Sequence, residues 1–311
     1  MSAHDKPAFL PLTGIHEPSA IQQLADGRFL VLEDERQRPF SLVTIAPDGR
    51  VDSAPLRPGW LDGWLDSSDD FWKLDDLEGI AVDNAGNIHA VTSHSRDGDG
   101  DEKKSRDKLV RFRIEAGRVV ATGIVKGLKP ALLAAHPVLA TAAAKLDVKR
   151  EGGLNIEALE FGHDGRTLLI GFRSPLLDGR ALIASVENSA AMFDDQAPPR
   201  IAPSLITLDL DGDGLRSLSR IPSLGGYLIS SGPVAGGEAH FRLWFWSGLP
   251  GEPALGVNVV DLPGFERAEG ICPAVIGGLR KVIIVSDDGN HAEGRCARFL
   301  MLDPDQLIIA R

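Results

Sequence analysis

A unit of about sixty residues that recurs along the chain constrains the fold more than any other feature of the sequence. Its copies are HEPSAIQQLADGRFLVLED from His16, LEGIAVDNAGNIHAVTSHS from Leu77, IEALEFGHDGRTLLIGFRS from Ile156, LRSLSRIPSLGGYLISSGP from Leu215 and AEGICPAVIGGLRKVIIVSDD from Ala268. Each reads as a short apolar strand, a Gly-containing turn and a second strand with alternating apolar positions. The aligned second residues are Glu17, Glu78, Glu157, Arg216 and Glu269. After most units there is room for two further strands, such as 40–45 with 51–55, 109–114 with 118–124, and 241–246 with 257–262. In the third unit, 182–186 and 205–210 compete for the third-strand position. The fifth unit keeps only 298–302, so residues 9–12 are expected to supply its outer strand and close a ring.

Four-stranded units closed in a ring solve the problem of exposed sheet edges, which gives a β-propeller. The expectation is an all-β fold in which residues 1–311 form a single propeller domain, with five blades; the spacing also admits six. The competing reading is a sandwich or two small β domains, neither of which requires one residue to recur at the same place in each unit. The long interval between Glu78 and Glu157 holds an Ala- and Leu-rich stretch, 130–148, that reads as a helical insertion broken near Pro137. It is either a helix packed on the blades or a lid, because it joins the outer strand of one blade to the inner strand of the next.

The 34 Gly and 20 Pro suit many turns rather than long helices. A net charge of -11 argues against a nucleic-acid partner, which would need clustered Lys and Arg. The first residues lack a basic segment followed by an apolar one, and the least polar stretch, 131–144, is too short for a bilayer. A soluble, cytoplasmic protein with no membrane partner is expected. Cys272 and Cys296 are too few for a disulfide framework and lie outside metal-ligand spacing, so both are expected to be reduced.

In a propeller, the first strand of every blade lines the axis, and the second strand ends on the face where the first begins. That face therefore collects Glu17, Glu78, Glu157, Arg216 and Glu269 from strand starts. From strand ends it collects Glu33, Asp34, Ser93, His94, Ser95, Arg96, Arg173, Ser174, Ser230, Ser231, Asp287 and Asp288. Carboxylates crowded in a channel repel one another unless a cation or Arg neutralises them. An all-oxygen set suits a hard cation, so Glu78, Glu157, Glu269 and Asp287 are candidate ligands for Ca²⁺ or another divalent ion. Arg173 and Arg216 would meet an anionic ligand, and His94 would move protons. The alternative is a structural ring in which each Glu caps backbone N–H groups.

Asp209 to Gly214 and Asp97 to Asp101 open like Ca²⁺ loops, but their twelfth positions are Arg220 and Lys108, which favours solvated turns. No Walker A loop, GxSxG elbow, HExxH or CxxC pair is present.

With these residues in view, the chain resembles a bacterial propeller family catalogued as domain of unknown function 3616. The resemblance rests on DLEGIAVD (76–83), TSHSR (92–96), LNIEALEF and LLIGFRSPL (within 154–176), GLRSL (214–218), YLISSGP (227–233), LWFWSG and AEGI. It spans nearly the whole chain. More distantly the chain is similar to phytase-like, "esterase-like" propellers with Glu-Gly strand starts. That relation implies Ca²⁺-dependent phosphatase or lactonase activity, while the nearer family brings no assigned reaction. The first unit departs from the pattern, with Pro18 where the second and fifth units have Gly79 and Gly270, which weakens Glu17 as a ring member. The expected function is a divalent-metal-assisted hydrolase, phosphoesterase- or lactonase-like, acting on a small anionic substrate. The alternative is a non-catalytic propeller that binds a ligand or a protein on the same face.

Overall fold

The computed structural model describes residues 6–34, 39–56, 68–235, 241–262, 264–265 and 267–310. Its strands form five sheets arranged as the blades of a propeller. β1 (Leu10–Pro11) precedes blade one, which is β2 (Pro18–Gln23), β3 (Phe29–Glu33), β4 (Phe40–Ile45) and β5 (Val51–Pro55). A short helix, α1 (Ser68–Trp72), leads to blade two: β6 (Leu77–Val82), β7 (Ile88–Thr92), β8 (Leu109–Glu115) and β9 (Arg118–Val125). Helices α2 (Leu128–Ala135), α3 (Pro137–Ala143) and α4 (Val148–Glu151) follow. Blade three is β10 (Asn155–Phe161), β11 (Leu168–Leu177), β12 (Arg180–Val186) and β13 (Ile206–Leu208), so the two competing segments are its third and fourth strands. Blade four is β14 (Gly214–Ile221), β15 (Gly226–Gly232), β16 (Arg242–Trp246) and β17 (Leu255–Val259). Blade five is β18 (Ala268–Ile276), β19 (Leu279–Ser286) and β20 (Arg298–Leu302).

β1 pairs with β20 and completes blade five, the closure expected from the sequence. One strand was not expected: β21 (Leu307–Ile309) adds a fifth, outer strand to blade four beside β17. Both ends of the chain thus stitch neighbouring blades at the ring's seam. The inner strands β2, β6, β10, β14 and β18 touch in cyclic order. Between each pair of adjacent blades lies a separate buried apolar cluster, such as Ile21, Val31, Ile283 and Val285 between blades one and five. Alternation along each strand puts apolar side chains on both faces of a blade, because both faces are covered by neighbours.

A β-bulge near the start of every inner strand sets the register at the axis. Pro18 faces Glu33 and Ala20 faces Leu32, which leaves Ser19 as the extra residue. In the same way the pairing skips Glu78, Glu157, Arg216 and Glu269. A bulge bends its strand and re-aims the extra side chain, here towards the central cleft. The ring member of blade one is therefore Ser19. Glu17 lies two residues earlier, in the position of Asp76 and Arg267, since Glu17, Asp76 and Arg267 all accept the N–H that follows the second strand. Aligning the turn glycines Gly27 and Gly86, rather than the Glu residues, gives this register from sequence.

The residue after each bulge is small: Ala20, Gly79, Ala158, Ser217 and Gly270. Here the inner strands approach one another most closely. A Cβ at Gly79 would lie 2.8 Å from the Leu159 N, and one at Gly270 would lie 3.0 Å from the Ala20 Cα.

The insertion is helical, as expected, but it starts earlier and is broken into three pieces. Pro137 opens α3, where its missing N–H costs nothing. Leu128, Leu132, Leu139 and Ala142 are buried in the cluster between blades two and three. The body of the insertion is a buttress rather than a hinged lid; only its last turn reaches the axial face.

Gly270→Val should wedge blade five against blade one at the ring seam. We expect a loss of about 1–3 kcal/mol, as for overpacked cores, read as a lower urea midpoint at constant m. Gly256→Val, at an open position in β17, should cost much less.

Candidate functional site

The bulged residues form the floor of a cleft of about 1000 Å³ on the axial face, lined by Ser19, Glu78, Glu157, Arg216 and Glu269. Glu157, Arg216 and Glu269 are buried, and Glu78 is half-buried. The break in register, where Arg216 stands in a place otherwise held by Glu, organises the floor. Its Nη1 donates to Glu157 Oε2 at 3.0 Å and to Glu269 Oε1 at 3.4 Å, and its Nη2 donates to the Pro233 carbonyl at 3.1 Å. The Phe241 ring lies 5.4 Å from the guanidinium carbon. Burial opposes the charge of Arg216, but Glu157, Glu269 and Glu78 outweigh it and hold the guanidinium protonated.

Glu157 is the hub of the floor. Its Oε1 accepts from Asn155 Nδ2 at 2.8 Å and from Arg173 Nη1 at 3.2 Å. The Nε of Arg173 donates to the same Pro233 carbonyl, at 3.3 Å. Arg173 reaches the axis because β11 carries its own irregularity opposite Glu157, between Ser174 and Phe172.

One guanidinium pair cannot neutralise every carboxyl. Burial pushes Glu269 up to about 8, with Arg216 pulling the other way and Glu157 adding to the rise. Glu78 is held well above the usual carboxylate range, first by burial and then by the charges of Glu157 and Asp76. Glu78 and Glu269 are both raised, first by burial and also by the charge of Glu157, so at neutral pH the floor carries carboxylic acid protons.

The walls come from strand ends and loops. Asp34, Ser95, Arg96, Arg173 and Asp287 line the cleft, as do Glu17, Asp76, Arg106 and Arg267. Burial raises Asp287 as well, with Arg267 opposing. Asp76, in the left-handed region at φ 62°, accepts from Ser93 Oγ, from Ser95 Oγ at 3.1 Å and from Arg106 at 3.0 Å. The sequence reading missed Asp76, Arg106 and Asn155. The aligned position before each strand start could have revealed Asp76, whereas Arg106 comes from a loop with no repeat signal.

His94 is not on the cleft wall. It is fully buried, with Nδ1 2.9 Å from the Thr92 carbonyl and Nε2 3.2 Å from Asp107 Oδ1. Its backbone, at φ 55°, turns the ring away from the axis and into the blade. Burial lowers its pKa, which Asp107 opposes. Glu33 is likewise buried away from the cleft, accepting from Ser41 Oγ at 2.7 Å. Ser174, Ser230, Ser231 and Asp288 also lie outside the lining.

The expected Ca²⁺ ligands do not fit a divalent ion as a set. Arg216 Nη1 already stands between Glu157 and Glu269, where a bridging cation would have to sit, and Arg173 takes another Glu157 lone pair. Among the described residues, no group of His, Cys, Asp and Glu side chains is arranged to hold a metal. The two acidic loops are turns: Asp97 Oδ1 accepts the N–H groups of Asp99 and Asp101, and Asp211 pairs with Arg242 at 2.5 Å. Cys272 and Cys296 are free, and burial pushes the Cys272 thiol up to about 12. No helix among the described residues is long and apolar enough to cross a membrane.

No family model matches the chain, and no curated protein matches it. Solved structures do. A gluconolactonase from Xanthomonas campestris is 13% identical, with 99% of this chain and 92% of that one covered at a TM-score of 0.37. The PQQ-bound aldose sugar dehydrogenase of Streptomyces coelicolor is 13% identical, covering 96% and 99% at 0.43. The PQQ domain of pyranose dehydrogenase from Coprinopsis cinerea is 11% identical, covering 97% and 86% at 0.44. Likeness at this distance carries no argument about chemistry.

Folded Glu269 keeps its proton up to about pH 8, whereas an unfolded glutamate loses it near the ordinary 4.5. The stability this group contributes is complete below the lower value and is lost as pH rises through the upper one. We expect Tm to fall from mildly acidic to mildly alkaline pH. Glu269→Gln, which mimics the protonated carboxyl, should flatten that fall in calorimetric scans. Arg216→Gln strands Glu157 and should cost about 3–5 kcal/mol, more at pH 8 than at pH 5.

Proposed function

We propose that the axial cleft is the active site of a hydrolase acting on a small polar ester or lactone. The observation that carries this reading is the coexistence, on one floor, of carboxyls held protonated and guanidiniums fixed by carboxylates. Groups whose environments push their proton affinities apart are how one site supplies both an acid and a base at neutral pH. Perturbed titration in a cleft is also the usual mark of a functional site.

In this reading protonated Glu269 donates to the oxygen that leaves when the ester bond breaks. Asp76, a carboxylate of the cleft wall whose bonds from Ser93, Ser95 and Arg106 fall on Oδ2, takes the proton from the attacking water. Arg173, whose Nη2 makes no hydrogen bond among the described residues, faces the negative charge that develops on the carbonyl oxygen. Glu157 positions both arginines rather than touching substrate. The motifs from DLEGIAVD to AEGI support placing the chain with the propellers catalogued as domain of unknown function 3616.

A second reading, a binding propeller without turnover, is favoured by the saturation of Glu157, whose oxygens already accept from three side chains.

The test is a panel of aldonolactones and small esters followed by pH-stat, with phosphate monoesters as a comparison. Hydrolysis should decline as pH rises through about 8, where Glu269 loses its proton. Glu269→Gln should lower kcat by about 10²–10⁴. Absence of turnover across the panel, or an unchanged kcat in that variant, removes the hydrolase reading and leaves the binding one.

A further inference from the structure

The charges of the cleft are unevenly settled. On the floor Arg216 and Arg173 both pair with Glu157, and on the wall Arg106 pairs with Asp75 and Asp76. The carboxyls left over, Glu78 and Glu269, are the ones burial keeps protonated. The floor is thus close to neutral and rich in hydroxyl-like donors and acceptors. It includes Asn155, whose Nδ2 is committed to Glu157 while its buried Oδ1 has no partner.

The wall beside blade three is different. Lys149 and Arg150, both exposed, line the cleft from α4. Lys149 meets no carboxylate among the described residues, and Arg150 meets only Asp147, at 3.7 Å. α4 ends at Gly152, in the left-handed region at φ 65°, and runs directly into β10. The carbonyl of the next residue, Gly153, accepts from Ser174 Oγ, which ties the end of α4 to the neighbour of Arg173. Two loosely matched cations therefore share one wall, above a floor that is nearly neutral.

We propose that Lys149 and Arg150 form an anion subsite, and that the substrate is a polyhydroxylated ester or lactone carrying a terminal phosphate. The phosphate is held on the blade-three wall, where unmatched positive charge can accept a dianion without breaking an internal ion pair. The hydroxyls meet the floor, where Asn155 Oδ1 takes one of their protons. This assignment moves the anion away from Arg216, whose charge is already consumed. It also gives the insertion a role its buried helices do not suggest: they brace the short α4 that carries the two cations. The substrate class rests on the hydrolase reading of the floor, but its test reads binding alone.

The probes are inert: sorbitol 6-phosphate, sorbitol, gluconate and inorganic phosphate, titrated calorimetrically into the full chain. Sorbitol 6-phosphate should bind at least about tenfold tighter than each of the others. The preference should shrink with added salt, because the anion pairs with exposed cations. Lys149→Ala with Arg150→Ala should remove most of that preference, while Tm stays as in the unaltered protein because both side chains are exposed. Lys149→Glu alone should weaken the phosphorylated probe further than Lys149→Ala does. Equal affinity for sorbitol and its phosphate, or a preference that survives the double substitution, overturns the subsite. Inorganic phosphate or gluconate binding as tightly as sorbitol 6-phosphate overturns the substrate class. No turnover enters these measurements, so failure of the hydrolase reading shows only in the rate assay.

Discussion

Arg216 and the carboxylates around it are the interaction on which the axial face depends. Five inner strands converge there, and each bulge turns one side chain towards the same small space. Three of those side chains are glutamates, two buried and one half-buried, and without a cation they would cost far more than a blade interface returns. Arg216 binds two of them through a single Nη1, Arg173 shares the load on Glu157, and protons settle what remains. The polarity of the cleft, its proton inventory and its lack of room for a bridging metal ion all follow from where this guanidinium sits.

The bulges also explain how a tightly packed ring can keep an open polar face. Below them, small residues such as Gly79 and Gly270 let neighbouring backbones meet at van der Waals distance, and the axis closes. Above them, the strands splay and the cleft opens. A change of one residue in register would turn a floor carboxyl into the apolar cluster beside it, which ties stability and site to the same geometric device. Proximity to charge alone does not define the site. His94 adjoins the cleft-lining Ser95 in sequence, yet its positive φ sends the imidazole into the blade.

Much of this was legible without coordinates. The repeat, the strand pairs within each unit, the closing β1 and four of the five floor residues were all readable from spacing and turn chemistry. The error at Glu17 arose from matching residue identity across units instead of matching turns; the Gly27 to Gly86 alignment points to Ser19. Asn155, Asp76 and Arg106 were overlooked for different reasons. Asn155 and Asp76 flank strand starts and repeat only in position, while Arg106 lies in a loop whose path depends on the blades around it. β21 was invisible because three residues carry too little periodicity to register as a strand.

The sequence by itself determined the architecture, because alternating apolar strands with turns at a constant period have few ways to bury both faces and leave no edge. It also determined which residue types would gather at the axis, since topology brings equivalent strand ends together. Only the tertiary structure decided which of them face the cleft, which are spent on one another and where charge is left unmatched. Those outcomes depend on bulge register, backbone dihedrals and ångström-scale ion-pair geometry. Glu157 and Glu78 look alike as letters in a repeat. One is pinned by two guanidiniums, and the other is raised well above the usual carboxylate range by burial and by its charged neighbours, because pairing and desolvation act through space and leave no periodic trace in the chain.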